Sequence, residues 1–143
     1  MRISQVLAGK ASREVVTIGP DATVRDLLAA LAEHNVGALV VSGDGNSVDG
    51  IVSERDIVRR LHQDDSLLAA PVSSIMTAEV ETCEPDASLP DLMQVMTERR
   101  FRHIPVVTEG RLTGIVSIGD VVKAHIDQVE FERDQLDHYV RQT

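Results

Sequence analysis

The sequence predicts an α/β (α+β) fold made of one β-α-β-β-α unit used twice, followed by a helical tail. Three observations predict it. Residues 17–41 laid over 82–106 without gaps share eight of 25 positions, and residues 50–58 over 114–122 share six of nine. Each copy also alternates strand-like and helix-like stretches in the same order. Finally, 43% hydrophobic and 26% charged residues over 143 positions is the balance of a folded chain.

Each copy opens with a short lead segment, "ISQVL" from Ile3 and "VSSIM" from Val72. A strand follows (15–18 and 80–83) and meets Pro-Asp-Ala at Pro20 and Pro85. Next comes a helix start, Thr23-x-x-Asp26 and Ser88-x-x-Asp91. The hydroxyl there accepts from a free backbone N–H, and the acid sits in the positive first turn. Pro90 is tolerated in that turn, where its missing N–H has no intrahelical partner. Val24, Leu27, Leu28 and Leu31 form one apolar helix face, matched by Leu89, Leu92, Met93 and Met96. Two strands follow in each copy, 38–41 with 50–53 and 103–107 with 112–117. A second helix comes last, at 56–62 and 120–129. The expected boundaries are 3–65 and 72–129 for the repeats and 130–143 for the tail. A unit of about 50 residues is marginal alone, so the two are expected to share a core. The tail spaces Val129, Leu136 and Val140 almost as a heptad, which suits packing on its own module or pairing with a second copy.

Composition narrows the function. A net charge of −9 argues against a broad nucleic-acid surface, and Phe101, Phe131 and Tyr139 are the only aromatics for stacking. A local basic pocket for one small anion remains open. The longest apolar run, 36–41, is too short to cross a membrane, the first residues lack a secretory signal, and Cys83 is the single cysteine. A cytoplasmic protein without an intrachain disulfide is expected. The five histidines have no metal-ligand spacing, no phosphate-loop or nucleophile-elbow sequence occurs, and Cys83 reads as a small buried hydrophobe. A non-catalytic protein is expected.

The most conserved feature between the copies is Gly-Ile-Val-Ser-x-x-Asp, at Gly50 and again at Gly114. Ser53 and Ser117 would cap the second helices with Asp56 and Asp120 at the third position, and the glycines would let the hairpin loops close. The same geometry offers free N–H groups and a carboxylate to a polar ligand. Such a carboxylate suits the paired hydroxyls of a ribose.

Together, the "TIGPDATVRDLLAAL" and "TCEPDASLPDLMQVM" segments, the "FRHIPVV" strand and the two "GIVSxxD" turns resemble cystathionine-β-synthase-type (CBS) domains. Two in tandem form a Bateman module. The resemblance runs from about Ile3 to Val129. It implies two clefts between the repeats that bind adenosine-containing ligands such as AMP, ADP, ATP, NAD or S-adenosylmethionine. By resemblance, Asp56 and Asp120 hold ribose, with Ser53 and Ser117 adjacent. Val15, Val16, Ile51, Thr77, Val80 and Ile115 would line the base. Arg102 and His103 match phosphate-contacting positions, with Arg55 and Lys10 as further candidates, while Arg99 and Arg100 read as a solvated helix end. The expected protein is an adenine-nucleotide sensor of energy or redox state, homodimeric and read by a protein partner. The alternative is a structural dimerisation module with vestigial clefts.

Overall fold

The computed structural model describes residues 1–10 and 15–141. Helix α1 (Ile3–Ala8) leads into β1 (Thr17–Ile18), α2 (Val24–His34), β2 (Ala38–Val41), β3 (Gly50–Ser53) and α3 (Glu54–Leu61). Two single 3-10 turns, Leu67–Ala69 and Val72–Ser74, connect to α4 (Leu89–Arg99), β4 (His103–Thr108), β5 (Arg111–Ser117) and the long α5 (Ile118–Arg141).

The helix starts form as their sequences dictate. Thr23 Oγ1 accepts from the Asp26 N–H at 3.1 Å, and Ser88 Oγ accepts from the Asp91 N–H at 3.2 Å. Helices α2 and α4 stop at aligned residues in the left-handed region, Asn35 (φ 51°) and Arg100 (φ 58°). Asparagine tolerates that conformation better than arginine does.

In the first repeat β1 runs parallel to β2, with Thr17 opposite Val40, and β2 is antiparallel to β3, with Ala38 opposite Ser53. In the second, β4 and β5 are antiparallel, with His103 opposite Ser117. The predicted first strands are shorter than expected. Only Thr17 and Ile18 form a strand in the first repeat. In the second, Cys83 alone pairs, parallel to Val106. The chain touches each sheet edge briefly before Pro20 and Pro85 turn it toward a helix.

Two expectations are corrected. The repeats do not share one core. Ile18, Val24, Leu27, Val41 and Val52 form one cluster, and Leu89, Leu92, Ile104, Val106 and Val116 another. What joins the repeats is an exchange of lead segments. Ile3 and Val6 of α1 are buried in the second cluster, while Val72 and Ile75 complete the first. Backbone bonds fix both exchanges: the Ile3 N–H donates to the Ala87 carbonyl at 2.9 Å, and the Val72 N–H to the Ala22 carbonyl at 2.7 Å.

The second correction concerns Gly50 and Gly114. They lie under the lead segments rather than serving the hairpin loops. A Cβ on Gly50 would meet Met76 Sδ at 2.7 Å and the Thr77 carbonyl oxygen at 2.9 Å. On Gly114 it would meet Leu7 Cδ1 at 3.0 Å. Gly50→Ala is therefore expected to cost about 1–3 kcal/mol through overpacking against backbone. Gly114→Ala should cost less, because a leucine tip can turn aside. Urea unfolding of both variants measures the difference; equal stabilities would contradict this packing.

Helix α5 is one continuous helix, so the tail extends the last helix of the repeat as expected. Residues 142 and 143 of the predicted tail lie outside the described residues.

Candidate functional site

Both Ser-x-x-Asp turns close as reciprocal caps. The Ser53 N–H donates to Asp56 Oδ2 at 2.8 Å, and the Ser53 hydroxyl donates to the same oxygen at 3.1 Å. The Ser117 N–H donates to Asp120 Oδ2 at 2.9 Å, and Ser117 Oγ accepts from the Asp120 N–H at 3.1 Å. Every hydrogen bond to either carboxylate falls on Oδ2 among the described residues. Oδ1 of Asp56 and of Asp120 keeps its accepting capacity at a helix N-terminus.

Each aspartate faces a cleft whose opposite wall comes from the other repeat. Asp120 shares a cleft of about 490 Å³ with Val16, Val36, Ala38, Leu39 and Ile115, bordered by Lys10, His34, Lys123 and Asp127. Asp56 shares one of about 220 Å³ with Ile51, Ser53, Arg55 and Thr77, and with Arg100, Phe101, Arg102 and His103 of the second repeat. The pairing is therefore crossed. Arg102 and His103 sit opposite Asp56, the motif of the first repeat, alongside Arg55.

Of the predicted base-lining residues, Val16 and Ile115 line the Asp120 cleft, and Ile51 and Thr77 the Asp56 cleft. Ile51 and Thr77 exchange both backbone bonds at 2.9 Å, which fixes that wall. Val15 lies in an adjoining cavity with Leu7, Lys10 and Ile115. Val80 and Ser117 line neither cleft. The Lys10 ammonium is held by Asp120 Oδ2 and by the Ile115 carbonyl, both at 2.9 Å. Arg99 is an exposed helix end, as expected, ion-paired to Glu81 at 2.8 Å.

Sequence reasoning missed Arg100, read as solvated, and Phe101, both in the Asp56 cleft. An available signal was the alignment of Arg100 with Asn35, because arginine is an unusual choice at a left-handed helix end. It also missed His34 and Lys123 at the mouth of the Asp120 cleft. These come from α2 and from a turn of α5 beyond the motif, positions visible only once the repeats are packed.

The electrostatics separate the groups. Burial opposes ionisation of Asp120, but the Ser117 N–H and the Lys10 ammonium outweigh it and hold the carboxyl below its ordinary range. Burial keeps His103 below the ordinary histidine value, with Asp120 pulling the other way and Lys10 and Arg102 reinforcing burial. The imidazole is neutral at pH 7. Burial and then Glu81 push the Cys83 thiol up to about 11, so it stays an unreactive thiol, half-buried beside the second core.

The His103 shift carries a sign. The unfolded chain takes up its proton near pH 6.5 while the folded chain resists, so stability is full above that pH and declines below it. Urea unfolding at pH 7.5 and 5.5 should show a smaller loss in His103→Gln than in the wild type. Identical losses would remove His103 as a cause.

Among the described residues, no cluster of three or more His, Cys, Asp or Glu is placed to hold a metal, and no helix is long and apolar enough to cross a membrane.

This doubled unit, with capped aspartates facing two crossed clefts, coincides with a known family. The CBS domain family model matches residues 3–63 and 72–127, and the chain belongs to the CBS-domain family as a tandem pair. The chain is 40% identical over 126 residues to the mitochondrial CBS domain-containing protein CBSX3 of Arabidopsis thaliana, covering 85% of this chain and 61% of that relative's length. It is 33% identical to the CBS domain-containing protein YhcV of Bacillus subtilis, covering 76% of each. Among solved structures, the CBS-domain protein ATU1752 of Agrobacterium tumefaciens superposes with a TM-score of 0.82 at 43% identity, over 87% of this chain and 99% of that one. The CBS domain pair of MJ0100, solved with 5′-methylthioadenosine and S-adenosylmethionine, has the same fold at 22% identity with a TM-score of 0.78, over 90% of this chain and 98% of that one.

Proposed function

We propose that this chain is a regulatory module that binds adenine nucleotides of the AMP, ADP, ATP or NAD class in its clefts and reports their level to a protein partner. The observation that carries this reading is the crossed pair of clefts, each ending on a helix-capping aspartate whose Oδ1 is available to a ribose. The MJ0100 pair, with two adenosine compounds bound in the same fold, supports the ligand class. Asp56 and Asp120 would hold the ribose hydroxyls. Ile51 and Thr77 in one cleft, and Val16 and Ile115 in the other, would flank the base. A switch requires that ligand favour one arrangement of repeats or subunits over another.

The homodimer belongs to the same proposal. Along α5, Val122, Ile126, Val129, Leu136 and Val140 alternate at four- and three-residue steps and are all exposed, with Arg133 in the remaining position. That spacing is a coiled-coil seam. A second copy covers it, and light scattering should give twice the chain mass.

The alternative, a dimerisation module with vestigial clefts, is favoured by one observation. Both aspartates already cap helices, and Lys10 already neutralises Asp120. Isothermal titration with AMP, ATP and NAD separates the two readings, run on the wild type and on Asp56→Asn combined with Asp120→Asn. Asparagine can still accept at the cap. Micromolar binding lost in a folded double variant supports sensing. Absence of heat from ligand-stripped wild type supports the alternative.

A further inference from the structure

We propose that a second copy of this chain docks antiparallel along α5, in the one register that sets its Glu130 on Lys123 at the mouth of the Asp120 cleft. Each Asp120 cleft of the dimer thereby gains a carboxylate from the other copy. This rests on the homodimer reading above and deepens it by fixing the orientation, the register and the residue contributed.

The need for a partner lies in the helix itself. Every residue from 129 to 141 is exposed, so its own module leaves this half of α5 uncovered. A helical segment of that length is marginal in water by itself. Nearer the module, Val122 and Ile126 are 47% and 49% exposed on the same seam. Beside them a groove of about 500 Å³ opens among Ile118, Gly119, Val122, Lys123, Ile126 and Asp127. Gly119 leaves room there, since an added Cβ would meet Ser117 Oγ no closer than 3.7 Å. An apolar side chain of a second helix fits that space.

Charge chooses the orientation. Lys123 and Glu130 flank the seam on one side, His125 and Glu132 on the other, and all four are exposed. Among the described residues none of the four is in an ion pair within the chain. Parallel helices would oppose Arg133 to Arg133 and Glu132 to Asp137. Antiparallel helices with Ile126 against the partner's Val129 instead bring Lys123 to the partner's Glu130 and His125 to the partner's Glu132, each twice by symmetry. The same register seats the partner's Leu136 at Gly119. It lays the partner's Arg133 over Val122, with the guanidinium reaching out to water. A shift of one heptad either way opposes like residues: Glu130 to Glu130 and Glu132 to Glu132, or Lys123 to Lys123 and His125 to His125. Lys123 and Asp127 border both the groove and the Asp120 cleft. To a cleft that already holds Asp120 and Asp127, the partner's Glu130 adds a third carboxylate, opposite Lys123.

The test uses the full chain, with dimer dissociation followed by sedimentation. Lys123→Glu should raise the dissociation constant about tenfold, because two attractive pairs become repulsive. Adding Glu130→Lys should bring it back to within about threefold of wild type, since the pair is restored with its signs exchanged. Disulfide trapping reads the register separately, and the Cys83 thiol is too unreactive to interfere. Oxidation of Gly119→Cys mixed with Leu136→Cys should give the mixed disulfide. Leu136→Cys alone should give none, because the two copies of that position lie about 26 Å apart along the helices. A disulfide formed by Leu136→Cys alone, a dimer indifferent to Lys123→Glu, or no rescue by Glu130→Lys overturns this docking and leaves the homodimer intact. A monomer at every concentration overturns the homodimer reading and this docking with it.

Discussion

Ile3→Ala is expected to destabilise the fold by about 2–5 kcal/mol, the cost of emptying a closed aliphatic site. Ile3 is fully buried, although it stands only three residues into the chain. Its side chain belongs to the second core, with Leu89, Ile104 and Val116. Three backbone bonds tie its surroundings to the start of α4: Ile3 N–H to the Ala87 carbonyl, Ser4 N–H to that of Pro85, and Leu89 N–H to that of Met1, all 2.8 to 2.9 Å. The location of the loss matters as much as its size. Hydrogen exchange should rise first in β4 and β5, not in β2 and β3, because the void opens beneath the second repeat. A loss below about 1 kcal/mol, within reach of a surface substitution, would contradict the exchange of lead segments.

Asp56→Ala carries the second large effect. A ribose held by a carboxylate makes charge-assisted hydrogen bonds worth about 1.5–3 kcal/mol, so nucleotide affinity should fall roughly 10- to 150-fold. Stability should fall far less. The acid in the first turn of α3 contributes about 0.3–1 kcal/mol to the helix, and Ser53 Oγ still accepts from the backbone N–H of residue 56. Calorimetric titration and thermal melting on the same preparation separate the two. A large drop in melting temperature with unchanged affinity would leave Asp56 as a cap and nothing more.

The fold was largely legible because each repeat states it in local chemistry. Thr23 and Ser88 mark helix starts, Pro20 and Pro85 mark turns, and the Ser-x-x-Asp pairs mark the strand-to-helix junctions where both caps form. These are interactions between residues three apart, which a sequence displays directly. What depended on packing between repeats was not legible. Nothing in "ISQVL" says that it crosses to the other repeat, and nothing in Gly50 says that Met76 lies on it. The crossed clefts follow from that same packing. Alignment puts Arg102 and His103 in the second repeat, yet they face Asp56 of the first. The Lys10–Asp120 pair spans most of the chain and left no periodic trace.

A crystal structure of the protein grown with saturating ADP tests the central claim most directly. The account predicts ribose hydroxyls within hydrogen-bond distance of the Asp56 or the Asp120 carboxylate, with adenine against Ile51 and Thr77 in the first cleft or Val16 and Ile115 in the second. ADP bound outside both clefts, or clefts left empty at saturation, would contradict it.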